Sequence, residues 1–194
     1  MIVKRIFSFF IVSMSFFIFS CGTGGGIDEG ISSLIEIEKI NPTYMEIDLI
    51  KKFDDNDDGI CDNYLIPLGD IVQITFKSIV LENTNIQPSD INITSYKVRY
   101  IPKTRKDIPI EEETFKTTCL IPAGQTRTCE FPLFYKNKKE LFYRMGWFDD
   151  FDIEIILYGK EVIYDKSISL KGHITARISD IINENESNCR LELE

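Results

Sequence analysis

Ser167-Ile168-Ser169-Leu170-Lys171-Gly172-His173-Ile174-Thr175-Ala176-Arg177-Ile178 places a small or apolar residue at every even position and a polar or charged one at every odd position. A strand turns successive side chains to opposite faces, whereas a helix repeats every 3.6 residues and would scatter this alternation around its surface. The stretch therefore predicts one long, half-buried strand with a dry face and a wet face. Its length suggests that it crosses the whole domain.

The same period recurs upstream. Met45, Ile47 and Leu49 alternate with Glu46 and Asp48, and Val72, Ile74 and Phe76 alternate with Gln73, Thr75 and Lys77. Tyr96, Val98 and Tyr100 alternate with Lys97 and Arg99, and Ile153, Ile155 and Leu157 alternate with Asp152 and Glu154. Turn-forming residues fall between these runs: Asp57-Asp58-Gly59, Pro122-Ala123-Gly124, Gly159-Lys160, and proline-bearing stretches at 83–90 and 102–109. About seven short strands with turns between them predict an all-β antiparallel sandwich, with one short connector helix at Lys136–Met145. No βαβ alternation and no solenoid or propeller period is present.

The strands Ser95-Tyr96-Lys97-Val98-Arg99-Tyr100, Ile155-Ile156-Leu157-Tyr158-Gly159 and Ser169-Leu170-Lys171-Gly172-His173-Ile174 resemble those of Ig-like or fibronectin-type sandwiches in bacterial envelope lipoproteins, over residues 40–182. The immunoglobulin arrangement of a core Trp bracketed by two Cys is not matched, since the only Trp is Trp147. Such a resemblance implies a fold and leaves function to the site.

The stretch richest in metal chemistry is Asp54-Asp55-Asn56-Asp57-Asp58-Gly59-Ile60-Cys61-Asp62. Numbering from Asp54 puts side-chain oxygens at positions one, three and five (Asp54, Asn56, Asp58), Gly59 at six, the Ile60 carbonyl at seven and Asp62 at nine. A tightly wound loop turns alternate side chains inward, Gly allows the sharp bend, and hard oxygen donors favour Ca²⁺. The pattern resembles the calcium loops of thrombospondin type 3 repeats and, less closely, dockerins and EF-hands. Position twelve, where those families place an acid, is Leu65, so a further carboxylate falls to Asp55, Asp70 or a neighbouring loop. The alternative is a solvated acidic turn whose Asp and Asn side chains cap their own backbone.

The four cysteines Cys61, Cys119, Cys129 and Cys189 form an even set with three possible pairings. Cys119 and Cys129 flank the Pro122-Ala123-Gly124 turn like opposing hairpin arms, which favours their pairing and leaves Cys61 with Cys189 to tie the acidic tail to the body. No C-x-x-C is present to support haem attachment, a zinc ribbon or a thioredoxin motif.

At the other end, Lys4-Arg5 precedes an apolar stretch at 6–19 that is shorter than the about 20 residues a spanning helix requires. It ends at Ile18-Phe19-Ser20-Cys21, which resembles the lipobox of bacterial lipoproteins, with Phe19 departing from the small residue usual there. The resemblance implies that residues 1–20 are a signal peptide. It further implies that Cys21 carries a diacylglyceryl thioether and an acyl group, anchoring the chain to a membrane, and that Gly22 after the Cys directs it to the outer membrane. Glycine-rich residues 21–40 then read as a flexible tether, 41–182 as the sandwich domain and 183–194 as an acidic tail. Without lipidation, the same segment is an ordinary secretory signal.

Lys and Arg number 22 against 31 Asp and Glu, a formal net charge of −9, and loss of Lys4 and Arg5 with the signal peptide deepens it by two. So acidic a chain repels phosphate backbones, which makes nucleic acid an unfavourable partner. A catalytic Ser-His or Cys-His pair would have to use His173, the only histidine, which falls on the wet side of the long strand; no G-x-S-x-G is present. Trp147, with Phe148, Asp149 and Asp150 beside it, admits a sugar-binding reading and a core-edge reading; Tyr135, Phe142 and Tyr143 pose the same choice. The basic groups Lys136, Lys138, Lys139 and Lys103, Arg105, Lys106 read as solvated loops or as surfaces for lipid headgroups or an acidic partner. The expected function is a non-enzymatic, calcium-stabilised, lipid-anchored envelope module that contributes structure or binds a protein, with a carbohydrate-binding module as the alternative.

Overall fold

The computed structural model describes residues 32–81, 86–107, 109–182 and 186–191. Cys21, the signal peptide and most of the tether lie outside the described residues. Those described form strands β1 (Ser33–Asn41), β2 (Tyr44–Asp48), β3 (Lys51–Phe53), β4 (Asn63–Leu65), β5 (Ile71–Val80), β6 (Ile91–Pro102), β7 (Glu113–Ile121), β8 (Thr126–Pro132), β9 (Asp149–Glu161) and β10 (Ser167–Ser179), with one helix, α1 (Lys136–Met145), between β8 and β9. The protein is mostly β, as its period-two runs predict.

One sheet has the order β1-β5-β8 and the other β2-β10-β9-β6-β7, while β3 and β4 pair only with each other. The dry faces of the two larger sheets enclose the core: Val72, Ile74 and Phe76 of β5 face Ile153, Ile155 and Leu157 of β9 and Ile174, Ala176 and Ile178 of β10. Each of these side chains except that of Ala176 contributes about 1.5–3 kcal/mol of transfer free energy. Tyr96 and Tyr100 span this core from β6, and their hydroxyls donate to the carbonyls of Pro132 (2.6 Å) and Leu133 (2.7 Å), where β8 ends.

Along β6 the buried positions change phase, from Ile91 and Ile93 to Tyr96, Val98 and Tyr100. The register against both neighbours shifts between Ile93 and Ser95. A bulge of this kind returns the apolar set to the core face after an odd-numbered gap.

Four sequence expectations change. Ten strands are described where about seven were expected: β3 and β4 are three residues long, and β1 occupies 33–41, within the expected tether. Ile35 and Ile37 do alternate with Glu36 and Glu38 there, but the glycines just upstream mask the signal. The ladders are not all antiparallel, because β2 lies parallel to β10, with Thr175 opposite Tyr44 and Ser179 opposite Asp48. The first ladder ends at Asn41, since Pro42 has no N–H to extend it, and the chain passes to the other sheet as β2. Finally, Cys119 and Cys129 are bonded to each other but do not lie on a hairpin. β7 belongs to one sheet and β8 to the other, so the turn at 122–125, closed by Gln125 N–H donating to Pro122 O at 3.1 Å, is a corner and the disulfide joins the two sheets.

Helix α1 occupies the expected interval. Gly146 ends it in the left-handed region at φ 59°, and its N–H donates back to the Tyr143 carbonyl.

Candidate functional site

The paired strands β3 and β4 form a ribbon apart from both sheets, with the acidic loop at its tip. Inside that loop the acids turn toward their own backbone. Asp54 accepts from the N–H groups of Asn56 (3.3 Å) and Gly59 (2.8 Å), Asn56 Oδ1 from Asp58 N–H (2.9 Å), Asp58 Oδ1 from Ile60 N–H (2.8 Å) and Asp62 Oδ2 from Asp55 N–H (2.8 Å). These bonds permit the sharp reversal in which Asp57 and Gly59 have φ of 58° and 83°. Among the described residues, no group of three or more His, Cys, Asp or Glu side chains converges as a metal-ligand set.

A segment from much later in the chain holds the loop. Cys61 is disulfide-bonded to Cys189, Cys61 N–H donates to the Arg190 carbonyl (3.1 Å), Arg190 N–H to the Gly59 carbonyl (2.9 Å) and Asp54 N–H to Ser187 Oγ (3.1 Å). Residues 187–190 thus form a strap across the loop.

The base of the ribbon is fixed by a residue the sequence reading assigned to a basic surface. Lys139 is only 1% exposed, and its Nζ donates to the carbonyls of Asp48 and Pro67, both at 2.8 Å, and lies 2.6 Å from Asp70 Oδ2. Asp48 precedes β3 and Pro67 follows β4, so one ammonium group joins both stems of the ribbon. Burial raises the Asp70 carboxyl above its ordinary value, against the opposing hydrogen bond and charge of Lys139. Asp70 is thereby engaged here and does not supply the carboxylate absent at Leu65. A second tie runs from Lys52 Nζ to Asp180 Oδ2 at 2.7 Å, beneath the Tyr143 ring.

The basic cluster 136–139 is accordingly not a solvated patch. Lys138 is also buried, 2.8 Å from Glu113 Oε1 and over the Tyr100 ring; of the three lysines, Lys136 remains at the surface. Lys103 pairs with Asp152 at 3.0 Å, and Arg105 donates to the Gly146 carbonyl at 2.9 Å, so both are joined to the β9 side of the molecule.

Beside the ribbon lies an open apolar groove of about 420 Å³, lined by Tyr64, Leu65, Ile66, Leu68 and Lys136. Leu65 is 58% and Leu68 76% exposed. Neither stands out in sequence, because single leucines outside a periodic run carry no orientation.

Trp147 is 8% exposed and packs edge-on against Phe142, with centroids 5.5 Å apart. That burial leaves no ring face for a sugar to stack on. Phe142 is fully buried, while Tyr135, exposed, leans on Phe115. His173 is exposed on the outer face of β10, directly across from Glu154 on β9, with Nε2 3.9 Å from Glu154 Oε1. Lys171 (2.8 Å) and Arg99 (3.1 Å) hold the same carboxylate, so Glu154 joins β6, β9 and β10 in an ion-pair network on the wet face beside which His173 lies.

No protein-family model, curated protein or solved structure matches this chain.

Proposed function

We propose that this chain is a non-enzymatic, lipid-anchored module of the bacterial cell envelope, of Ig-like sandwich type, that docks a protein partner through its β3–β4 ribbon. The observation that carries this reading is the exposure of Leu65 on the ribbon and of Leu68 just past its base, with the ribbon held at base and tip by Lys139, Lys52 and the Cys61–Cys189 strap. Exposed apolar side chains on a rigid support lose little conformational entropy on binding, which is the usual economy of an interface anchor.

The strand order supports the Ig-like part. Taking β1, β5 and β8 as strands A, B and E, and β6, β9 and β10 as C, F and G, gives the A-B-E and C-F-G groupings of that sandwich. Calcium is proposed at Asp54, Asn56, Asp58, the Ile60 carbonyl and Asp62. A carboxylate oxygen that accepts one N–H retains lone-pair capacity for a hard cation, so the loop's internal bonds are compatible with that use. The glycan alternative loses its main support with the burial of Trp147.

Two measurements test the reading. Metabolic labelling should place palmitate on the chain and lose it in Cys21→Ala. A photo-crosslinker at Leu68 should trap a discrete envelope protein that one at Lys39 does not. Absence of label overturns the anchor, and identical trapping at both positions overturns the ribbon as the docking surface.

A further inference from the structure

The opposite end of the molecule carries a second apolar projection. The turn between β9 and β10 exposes Val162 by 56% and Ile163 by 51%, side by side. It is not a loose loop. Val162 N–H donates to the Asp90 carbonyl (2.9 Å), Ile163 N–H to Ser89 Oγ (3.0 Å), the Tyr164 hydroxyl to the Gln87 carbonyl (3.1 Å) and Asp165 N–H to the Glu161 carbonyl (3.1 Å). The backbone is satisfied and the two apolar side chains are left pointing outward.

The N-terminal tether leaves the domain from this same corner. Glu161, buried at the end of β9, accepts from Ser32 N–H (3.1 Å), Ser32 Oγ (3.0 Å) and Ser33 N–H (3.2 Å), which fixes the start of β1. Ser89 touches both features, since its N–H donates to Ser32 Oγ at 3.0 Å while its hydroxyl accepts from Ile163.

Because β1 begins at Ser33, only the stretch from Cys21 to Ser32 separates the lipidation position from this corner. Eleven residues extend at most about 40 Å. β10 runs from this corner to the ribbon base, and its 13 residues span roughly 40 Å. The chain enters the domain at this corner and not at the ribbon, so an anchor at Cys21 lies nearer along the chain to the β9–β10 turn than to the ribbon.

We infer that the Val162-Ile163 turn is a membrane contact, seating its two apolar side chains in the lipid surface to which Cys21 is attached, with the one exposed acid of the turn, Asp165, neutralised by its ion pair with Lys160. Amphipathic tips of this kind add to the hold of a lipid anchor by burying apolar surface at the headgroup boundary. The inference rests on the lipid-anchor reading of Cys21. Its consequence is an upright domain that presents the ribbon and acidic loop at the outer end.

The test uses the full chain extracted with its lipid and reconstituted into vesicles of phosphatidylethanolamine and phosphatidylglycerol with brominated acyl chains. Ile163→Trp and Leu68→Trp are each read against the parent, whose Trp147 is buried. Bound vesicles are first isolated by flotation. The expected result is loss of the added emission by bromine quenching in Ile163→Trp and no loss in Leu68→Trp. Flotation without quenching at Ile163→Trp, equal quenching at both positions, or a blue shift without quenching, as a second protein copy over the turn would give, overturns the membrane contact while leaving the anchor intact. Failure to float removes the anchor and the contact together.

Discussion

Lys139 and Asp70 lie 2.6 Å apart in the protein interior, and the same ammonium bonds the carbonyls on either side of the β3–β4 ribbon. Removing one partner of such a pair leaves a buried charge without compensation. Lys139→Met should cost about 3–5 kcal/mol, and Lys139→Met combined with Asp70→Leu should cost less than Lys139→Met alone. Urea denaturation of both single variants and the double variant decides this; losses that add would show that the pair itself contributes nothing.

The two disulfides should differ in strength. Cys61–Cys189 spans 128 residues and Cys119–Cys129 spans ten. Chain entropy alone gives about 5 and about 3 kcal/mol. Paired Cys→Ser variants of each bridge, compared by denaturant midpoint, should preserve that order.

Gly159 and Gly172 look equivalent in sequence but not in space. A Cβ at Gly159 would meet the Asn92 carbonyl oxygen at 2.5 Å and the Ile93 Cα at 3.0 Å, both backbone atoms next to the β6 bulge. At Gly172 the nearest atom is the Ile40 Cδ1 at 2.7 Å, the mobile end of a side chain. Gly159→Ala should therefore lose about 2–3 kcal/mol and Gly172→Ala under about 1 kcal/mol. Comparable melting temperatures for the two variants would contradict this.

The wet face of the larger sheet has an acid limb. A hydrogen bond from Lys171 lowers the Glu154 carboxyl against the effect of burial, with the charges of Lys171 and Arg99 adding to it. A lowered folded value means that the stabilisation is complete above the ordinary Glu value of 4.5 and is lost as pH falls below it through the folded value. Glu154→Gln should thus be less stable than the parent at pH 7, with the gap closing in strong acid. A gap independent of pH would assign the loss to packing.

If the acidic loop takes Ca²⁺, the folded chain gains about 2.7 kcal/mol at a free concentration 100 times the dissociation constant. The melting temperature should rise between EDTA and millimolar Ca²⁺. Asp58→Asn keeps an acceptor for Ile60 N–H but removes a charge, and should shrink the rise. An unchanged melt would leave Asp54 to Asp62 as a self-capped turn.

What the sequence made legible follows from distance along the chain. β5 and β10 alternate along their length, and β6 and β9 do so over the runs from Tyr96 to Tyr100 and Phe151 to Leu157 where their apolar side chains face the core, so local order suffices to read them. The pairing of Cys119 with Cys129 was readable from the turn between them, although its passage between sheets was not, since a corner and a hairpin share the same turn residues. Lys139 was misread for a related reason. A lysine discloses nothing about burial until its partner is known, and Asp70 and Asp48 stand far upstream. The exposed Leu65, Leu68, Val162 and Ile163 share that blindness, because exposure belongs to the assembled surface.

The strap across the acidic loop also governs the order of assembly. Gly59 and Cys61 find their partners in Arg190 and Cys189, which leave the ribosome long after them. On the export route proposed above, the ribbon stays open until Cys189, 128 residues beyond Cys61, has followed it. An oxidase acting as cysteines emerge would meet Cys61 first, then Cys119 and Cys129, and pairing in order of arrival would trap Cys61 with the wrong partner. The native bridge is therefore nonconsecutive in time as well as in sequence, so an early Cys61 bond to Cys119 or Cys129 would have to be exchanged before Cys189 could take its place.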